Sequence, residues 1–149
     1  MTTQEMRRAV WTRARQCYAE KLFAGTSGNL SVYDREQDLM VITPTSVPYE
    51  DVAPEDMVVL RLDGEVLEGK YRPSSEWRMH AAVYENKPEI SALIHTHSPY
   101  ATAFAVNNRG IPVPMTGPSC SLQGAWSGDT PGSWPKVTST ATHQSGAIL

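Results

Sequence analysis

The sequence predicts an α/β domain, and three observations carry that prediction. Apolar residues recur at helical spacing over residues 6–23. Two short apolar segments, 30–33 and 39–42, flank a polar run and read as a strand hairpin. A second helical stretch, residues 74–86, leads into another short apolar strand at 90–94.

In the first helix the periodic positions are Met6, Val10, Ala14, Tyr18 and Leu22, with Ala9 and Cys17 beside them. Gly25 is expected to end it. Residues 34–38 supply the hairpin turn, and Pro44 and Pro48 then break the chain into a loop. Residues 58–62 read as a strand that turns at Asp63-Gly64 into residues 65–67. Ser74-Ser75-Glu76 opens the next helix, with Ser74 or Ser75 as its cap and Pro88 stopping it. Its apolar positions, Trp77, Met79, Val83 and Tyr84, suit packing on a sheet. The strand at 90–94 delivers His95 and His97 at its end, and residues 98–107 read as the helix that follows.

From residue 116 onward the composition changes. The stretch is rich in Ser, Thr, Gly and Pro, carries only Asp129 and Lys136 as charges, and shows neither structural period. Residues 1–115 are therefore expected to form the domain, and residues 116–149 a low-complexity, disordered tail.

A chain of 149 residues with 40% hydrophobic and 19% charged residues fits one soluble globular domain with a real core. Its net charge of −3 leaves no basic excess to neutralise a phosphate backbone or an anionic bilayer. Nucleic acid and membrane are excluded as expected partners. Cys17 and Cys120 stand far apart with no CxxC pair, which fits free thiols in a reducing compartment. The amino terminus is charged throughout and lacks the apolar core of a signal peptide, and no later stretch is long enough to span a bilayer. A cytoplasmic protein is the expectation.

Three elements carry chemistry. His95-Thr96-His97 places two imidazoles two positions apart at a strand end, on the same side, where they can share one metal ion. The plainer alternative is two polar histidines at a strand-to-helix junction. Glu76 lies in the first helical turn, where a carboxylate can simply offset the helix dipole. Near a metal, it can ligate at rest and exchange protons once displaced. Gly25-Thr26-Ser27-Gly28-Asn29 is a glycine-bounded loop whose amides and hydroxyls can cradle a phosphate, though without the P-loop lysine or strand-first order. Thr43-Pro44-Thr45-Ser46 and Ser74-Ser75 are two more hydroxyl clusters, each readable alone as a turn or a cap.

In this order, GTSGN, ITPTS followed by PYE, PSSEWRMH and LIHTHSPYATA resemble the class II aldolase and adducin family over residues 6–115. The segments look most like the L-fuculose-phosphate aldolases, with the L-ribulose-phosphate 4-epimerases and methylthioribulose-phosphate dehydratases as relatives. The resemblance implies a mixed β-sheet flanked by helices and a homotetramer. It also implies that Gly28, Asn29, Thr45, Ser46, Ser74 and Ser75 hold the phosphate of a small phosphorylated sugar, while Glu76, His95 and His97 surround a zinc ion. The implied reaction is retro-aldol cleavage of a ketose 1-phosphate to dihydroxyacetone phosphate and an aldehyde, with Glu76 as the catalytic proton carrier. The 4-epimerase reaction and a non-catalytic, adducin-like module are the alternatives.

Two departures stand out. Ser46 occupies a place where the aldolases commonly carry glycine. The family's third metal histidine, in a His-His-Gly segment, and its late tyrosine have no counterpart, since His143 sits in Thr-His-Gln-Ser-Gly. The C-terminal part of the family domain is thus expected to be missing or replaced, and activity to be impaired.

Overall fold

A capping box starts the chain. The Thr2 hydroxyl accepts from the Glu5 amide at 3.2 Å, and the Glu5 carboxylate accepts from the Thr2 amide at 2.8 Å. Two donors that a helix start leaves without intrahelical partners are thereby satisfied. In the computed structural model, which describes residues 1–107, α1 (Thr3–Ala19) then buries Met6, Val10, Ala14 and Cys17. That is the predicted stripe as far as Cys17.

The helix end differs from the expectation. Lys21 takes φ +60°, its amide donates to the Tyr18 carbonyl at 3.0 Å, and the Leu22 amide donates to the Cys17 carbonyl at 2.8 Å. This is a Schellman closure with lysine in the left-handed position that glycine usually fills. It ends the helix at Ala19, leaves Leu22 half exposed, and puts Gly25 in a later turn.

Five strands follow in one sheet: β1 (Asn29–Asp34), β2 (Leu39–Ile42), β3 (Val58–Leu60), β4 (Val66–Glu68) and β5 (Ala92–His95). A short 3-10 turn, Pro54–Asp56, precedes β3. The order is β4-β3-β2-β1-β5. Every pairing among the described residues is antiparallel, so the parallel pairing that a mixed sheet requires is not among them. The expected hairpins at 30–42 and 58–67 both form.

Strand alternation sorts side chains between two layers. Leu30, Val41 and Val59 join the α1 stripe, Phe23 and Tyr49 in one apolar cluster. Tyr33, Met40, Ile42, Val58, Leu60 and Leu93 join Tyr84, with Trp77, Met79 and Val83, in the other. The second cluster is the α2 (Trp77–Asn86) side of the sheet, so the sheet is packed by a helix on each face. Gly64, at φ +97°, turns β3 into β4, and a Cβ there would meet the Trp77 ring at 2.4 Å. At the far end of α2 the Arg35 guanidinium donates to the carbonyls of Tyr84 (2.7 Å), Lys87 (2.9 Å) and Pro88 (3.0 Å). A cation thus closes the helix end where carbonyls lack partners.

The expected serine cap of α2 is corrected. Glu76 holds the N-cap position without a side-chain cap bond, while the Ser74 hydroxyl accepts from the Glu76 amide at 3.3 Å, two residues further out.

Met1–Thr96 forms one compact unit, and a second begins at His97. The described part of the second holds α3 (Pro99–Val106), capped by the Ser98 hydroxyl, which accepts from the Ala101 amide at 3.4 Å. The expected tail, residues 116–149, lies outside the described residues. Among the described residues no helix is long and apolar enough to cross a membrane.

The lysine in the Schellman position yields a direct check. Lys21→Gly removes a Cβ from left-handed backbone and is expected to raise stability by about 1 kcal/mol, read as the shift of the urea midpoint. A lower midpoint would show that the Lys21 side chain contributes more than its backbone strain costs.

Candidate metal centre

Sheet register brings the site together. In the antiparallel pairing of β1 with β5, Asn29 lies directly opposite His95 and Ser31 opposite Leu93. Asn29 and Ser31 point to the α2 side, where Glu76, His80 and Tyr84 follow at helical spacing. The Asn29 amide nitrogen donates to Glu76 Oε2 at 2.8 Å, and Asn29 Oδ1 lies 2.5 Å from His80 Nε2. His80 Nδ1 is 2.6 Å from Ser31 Oγ, which is 2.7 Å from the Tyr84 hydroxyl. Asn29, Ser31, His80 and Tyr84 are all buried.

At the open end of this seam, Glu76 Oε2 is 3.1 Å from His95 Nε2. His97 is tethered to His95 through Thr96 alone, so chain connectivity keeps it close. Glu76, His95 and His97 each offer one ligand atom, and these lie within 4.8 Å of one another. Zinc takes carboxylate oxygen and imidazole nitrogen at about 2.0–2.2 Å, which sets donors on one tetrahedral ion roughly 3.3 Å apart. The Glu76–His95 pair already has that spacing. One carboxylate and two imidazoles are also the right chemistry, so the residues present fit a zinc ion.

The hydroxyl clusters are distributed as follows. Gly28 is buried at φ +88°, where a Cβ would overlap the Phe23 ring at 2.2 Å, and its carbonyl accepts from the Tyr49 hydroxyl at 2.9 Å. Backbone conformation alone therefore demands glycine here. Asn29 commits one N–H to Glu76 and retains a second donor hydrogen. Thr45 and Ser74 are drawn together by a backbone bridge: the Thr45 amide donates to the Arg72 carbonyl and the Ser74 amide to the Thr43 carbonyl, both at 3.0 Å, around a Pro44–Pro73 bridge. Ser46 adopts φ +60°, the left-handed conformation that explains glycine as the usual residue there. Ser75 is exposed beside the buried Ser74.

Sequence reasoning missed His80 and Ser31 and counted Tyr84 only as apolar. The signal available was Glu76, His80 and Tyr84 at i, i+4 and i+8, one stripe of α2, facing polar residues at alternate positions of β1. Burial pushes the His80 imidazole down to about 4, helped by repulsion from His95 and opposed by Glu76. Burial raises the Tyr84 hydroxyl strongly. Both groups are therefore neutral across the physiological range. Cys17 is buried and free, and burial pushes its thiol up.

The comparisons with known proteins agree with this architecture. The model of the Class II Aldolase and Adducin N-terminal domain matches residues 8–140, and the chain belongs to that family. The match extends into the stretch that composition sets apart at residue 116. A 5-deoxy-D-ribulose 1-phosphate aldolase of Bacillus thuringiensis is 44% identical over 105 residues, covering 70% of this chain and 49% of that protein. An L-ribulose-5-phosphate 4-epimerase of Salmonella paratyphi B is 48% identical over 87 residues, covering 58% of this chain and 38% of that protein. The chain thus spans half or less of the length of these relatives. Among solved structures, an L-fuculose 1-phosphate aldolase superposes with a TM-score of 0.68 at 38% identity, covering 73% of this chain and 51% of that one. One from Thermus thermophilus gives 0.55 at 29% identity, covering 68% and 50%.

The buried neutral His80 makes the fold acid-labile in a defined window. Its folded pKa, about 4, lies below the unfolded value near 6.5. The unfolded chain therefore binds the extra proton between those values, and stability is lost as pH falls through them. The expected loss is about 1.4 kcal/mol per pH unit at most. Urea unfolding of wild type and His80→Gln at pH 6.5, 5.5 and 4.5 isolates this contribution, and identical slopes would refute it.

Proposed function

We propose that this chain carries the zinc-binding and phosphate-binding residues of an enzyme that cleaves a ketose 1-phosphate by a retro-aldol reaction to dihydroxyacetone phosphate and an aldehyde. One observation carries the reading: in a chain of this family, the Glu76 carboxylate sits 3.1 Å from the His95 imidazole at the start of a helix and the end of a strand. A zinc ion held by Glu76, His95 and His97 would supply Lewis-acid polarisation of the substrate carbonyl. The chain's own residues do the rest. Glu76 carries the proton that the three-carbon fragment gains at C3 when the C3–C4 bond breaks, the C4 hydroxyl having lost its own proton. Gly28, Asn29, Thr45, Ser46, Ser74 and Ser75 position the phosphate through neutral donors, and fixing a reactive geometry is worth several kcal/mol. The reading includes a cytoplasmic homotetramer acting on small phosphorylated sugars.

A second reading is favoured by the 48% identity to a protein named as a 4-epimerase. It uses the same bond cleavage and then rejoins the fragments with the other face presented.

Catalytic zinc normally keeps three protein ligands. If Glu76 leaves the metal to move a proton, His95 and His97 are two, one short of that number. The 149-residue chain is therefore expected to hold less than one zinc per chain after dialysis and to release dihydroxyacetone phosphate slowly. Glu76→Gln is expected to cut that release by about 10²–10⁴-fold without raising KM. Near-normal turnover in this variant ends the assignment of Glu76. Interconversion of pentulose 5-phosphates alone points to the epimerase, and zinc binding without either reaction points to the binding module.

Ser75→Ala tests the phosphate site. Losing a hydrogen bond to a charged group costs about 1.5–3 kcal/mol, so KM for phosphorylated sugars is expected to rise by roughly 10–150-fold. Equal losses for unphosphorylated analogues would show that Ser75 does not read phosphate.

A further inference from the structure

The buried seam fixes its own proton positions, and it does so from the Glu76 end. A carboxylate accepts hydrogen bonds and cannot donate them. Glu76 Oε2, 2.8 Å from the Asn29 side chain, therefore requires the NH₂ of that amide to face it. Asn29 Oδ1 is then turned to His80, 2.5 Å from Nε2, and that ring nitrogen has to carry the hydrogen. With His80 neutral, Nδ1 is left as an acceptor, 2.6 Å from Ser31 Oγ, and takes the one hydroxyl hydrogen of Ser31. The Tyr84 hydroxyl has to donate in turn, to Ser31 Oγ at 2.7 Å or to the Ser31 carbonyl at 3.1 Å. Every donor in the series Tyr84, Ser31, His80, Asn29 points toward Glu76.

We propose that His80 is a positioning residue, held as the Nε2–H tautomer, which locks the Asn29 amide so that its NH₂ group holds Glu76 at the metal site. His80 is not one of the candidate metal ligands Glu76, His95 and His97, and it acts through Asn29. Its job is to break the symmetry of a primary amide. Asn29 can be rotated by half a turn with almost no change of shape, and that rotation would aim its oxygen at the carboxylate. The His80 N–H makes only one orientation favourable. Outer partners of this kind orient a metal-binding carboxylate just as they orient metal-binding histidines. As far as it concerns metal binding, the inference rests on the zinc reading of Glu76, His95 and His97. The tautomer itself does not.

The test uses the full 149-residue chain labelled with ¹⁵N-histidine, first without metal. Long-range ¹H–¹⁵N correlation separates a protonated from an acceptor ring nitrogen, and the His80 signals are those that vanish in His80→Gln. The expected result is a protonated Nε2 and an acceptor Nδ1. A protonated Nδ1, or a mixture of the two tautomers, overturns the proposal. The second arm compares two neutral variants by zinc competition with a chromophoric chelator. His80→Gln can place an N–H where Nε2 stood, whereas His80→Asn reaches only the Nδ1 position. His80→Asn is expected to weaken zinc binding by about 10-fold or more, and His80→Gln to stay near wild type. Equal losses in the two variants, with circular dichroism unchanged, would show a merely structural role and overturn the proposal. A wild-type chain that takes up no zinc defeats the metal reading instead, and the metal-free tautomer measurement then decides the proposal alone.

Discussion

The architecture around the site depends on a match between two repeats. Four residues of α-helix advance by about 6 Å and two residues of β-strand by roughly 6.7 Å. A polar stripe at i, i+4, i+8 on a helix can therefore stay in step with one at j, j+2, j+4 on a strand for two turns. Glu76, His80 and Tyr84 on one side, and Asn29, Ser31 and Tyr33 on the other, use this match. Asn29 reaches both Glu76 and His80, Ser31 reaches both His80 and Tyr84, and the Tyr33 and Tyr84 rings stack with centroids 5.2 Å apart. Sliding the helix by one residue would break every one of these bonds together.

That all-or-none character gives a polar seam its use inside an apolar layer. Leu93, Met40, Ile42, Val58 and Leu60 surround it and tolerate small shifts, because dispersion contacts fall off gradually and lack direction. Hydrogen bonds between fully buried groups do not tolerate them. A donor left without its partner there costs about 1–3 kcal/mol, so the seam sets the position of α2 while the apolar cluster supplies most of the attraction. Arg35 reinforces it by capping the helix's last carbonyls, and its guanidinium also lies 5.2 Å from the Tyr33 ring centroid. The Glu76 end is therefore referenced to a helix fixed at its far end.

Much of this was legible in the sequence, and the parts that were not share a cause. The helix α1 followed from periodicity because it buries one regular face, and β1, β2 and β3 followed from being short, largely apolar runs, covered on both faces of the sheet. The end of α1 did not, since the left-handed residue that closes it is Lys21, and only glycine would have advertised that backbone conformation. Ser74 looked like the helix cap, but its hydroxyl bonds the Glu76 amide from two residues outside the cap position. His95 and Glu76 were each recognisable, yet their meeting was not, because it depends on β1 pairing with β5 across more than sixty residues. No local pattern encodes that register. His80 was hidden for a different reason: in a helix read for apolar spacing, a buried neutral imidazole is counted as a gap in the face when it is in fact the centre of it.

The two hydroxyl loops show the same non-local logic at the edge of the sheet. Read along the chain, Thr43-Pro44-Thr45-Ser46 and Ser74-Ser75 are separate turns, and their prolines look like simple breakers. In the fold, the prolines sit opposite each other, and since neither has an N–H, the bridge between the loops falls to the amides on either side. Thr45 N–H and Ser74 N–H take it, each at 3.0 Å from a carbonyl of the other loop. This joins the two clusters into one rim beside Glu76 and leaves Ser46 to make the turn at φ +60°. For a residue with a Cβ that conformation costs about 1–2 kcal/mol. The residues just before it are held by the backbone pairing with residues 72–74. The rim and the carboxylate are consequently parts of one construction, and a change that loosens the Pro44–Pro73 bridge should disturb the placement of Ser74, and through its bond to the Glu76 amide, the helix start itself.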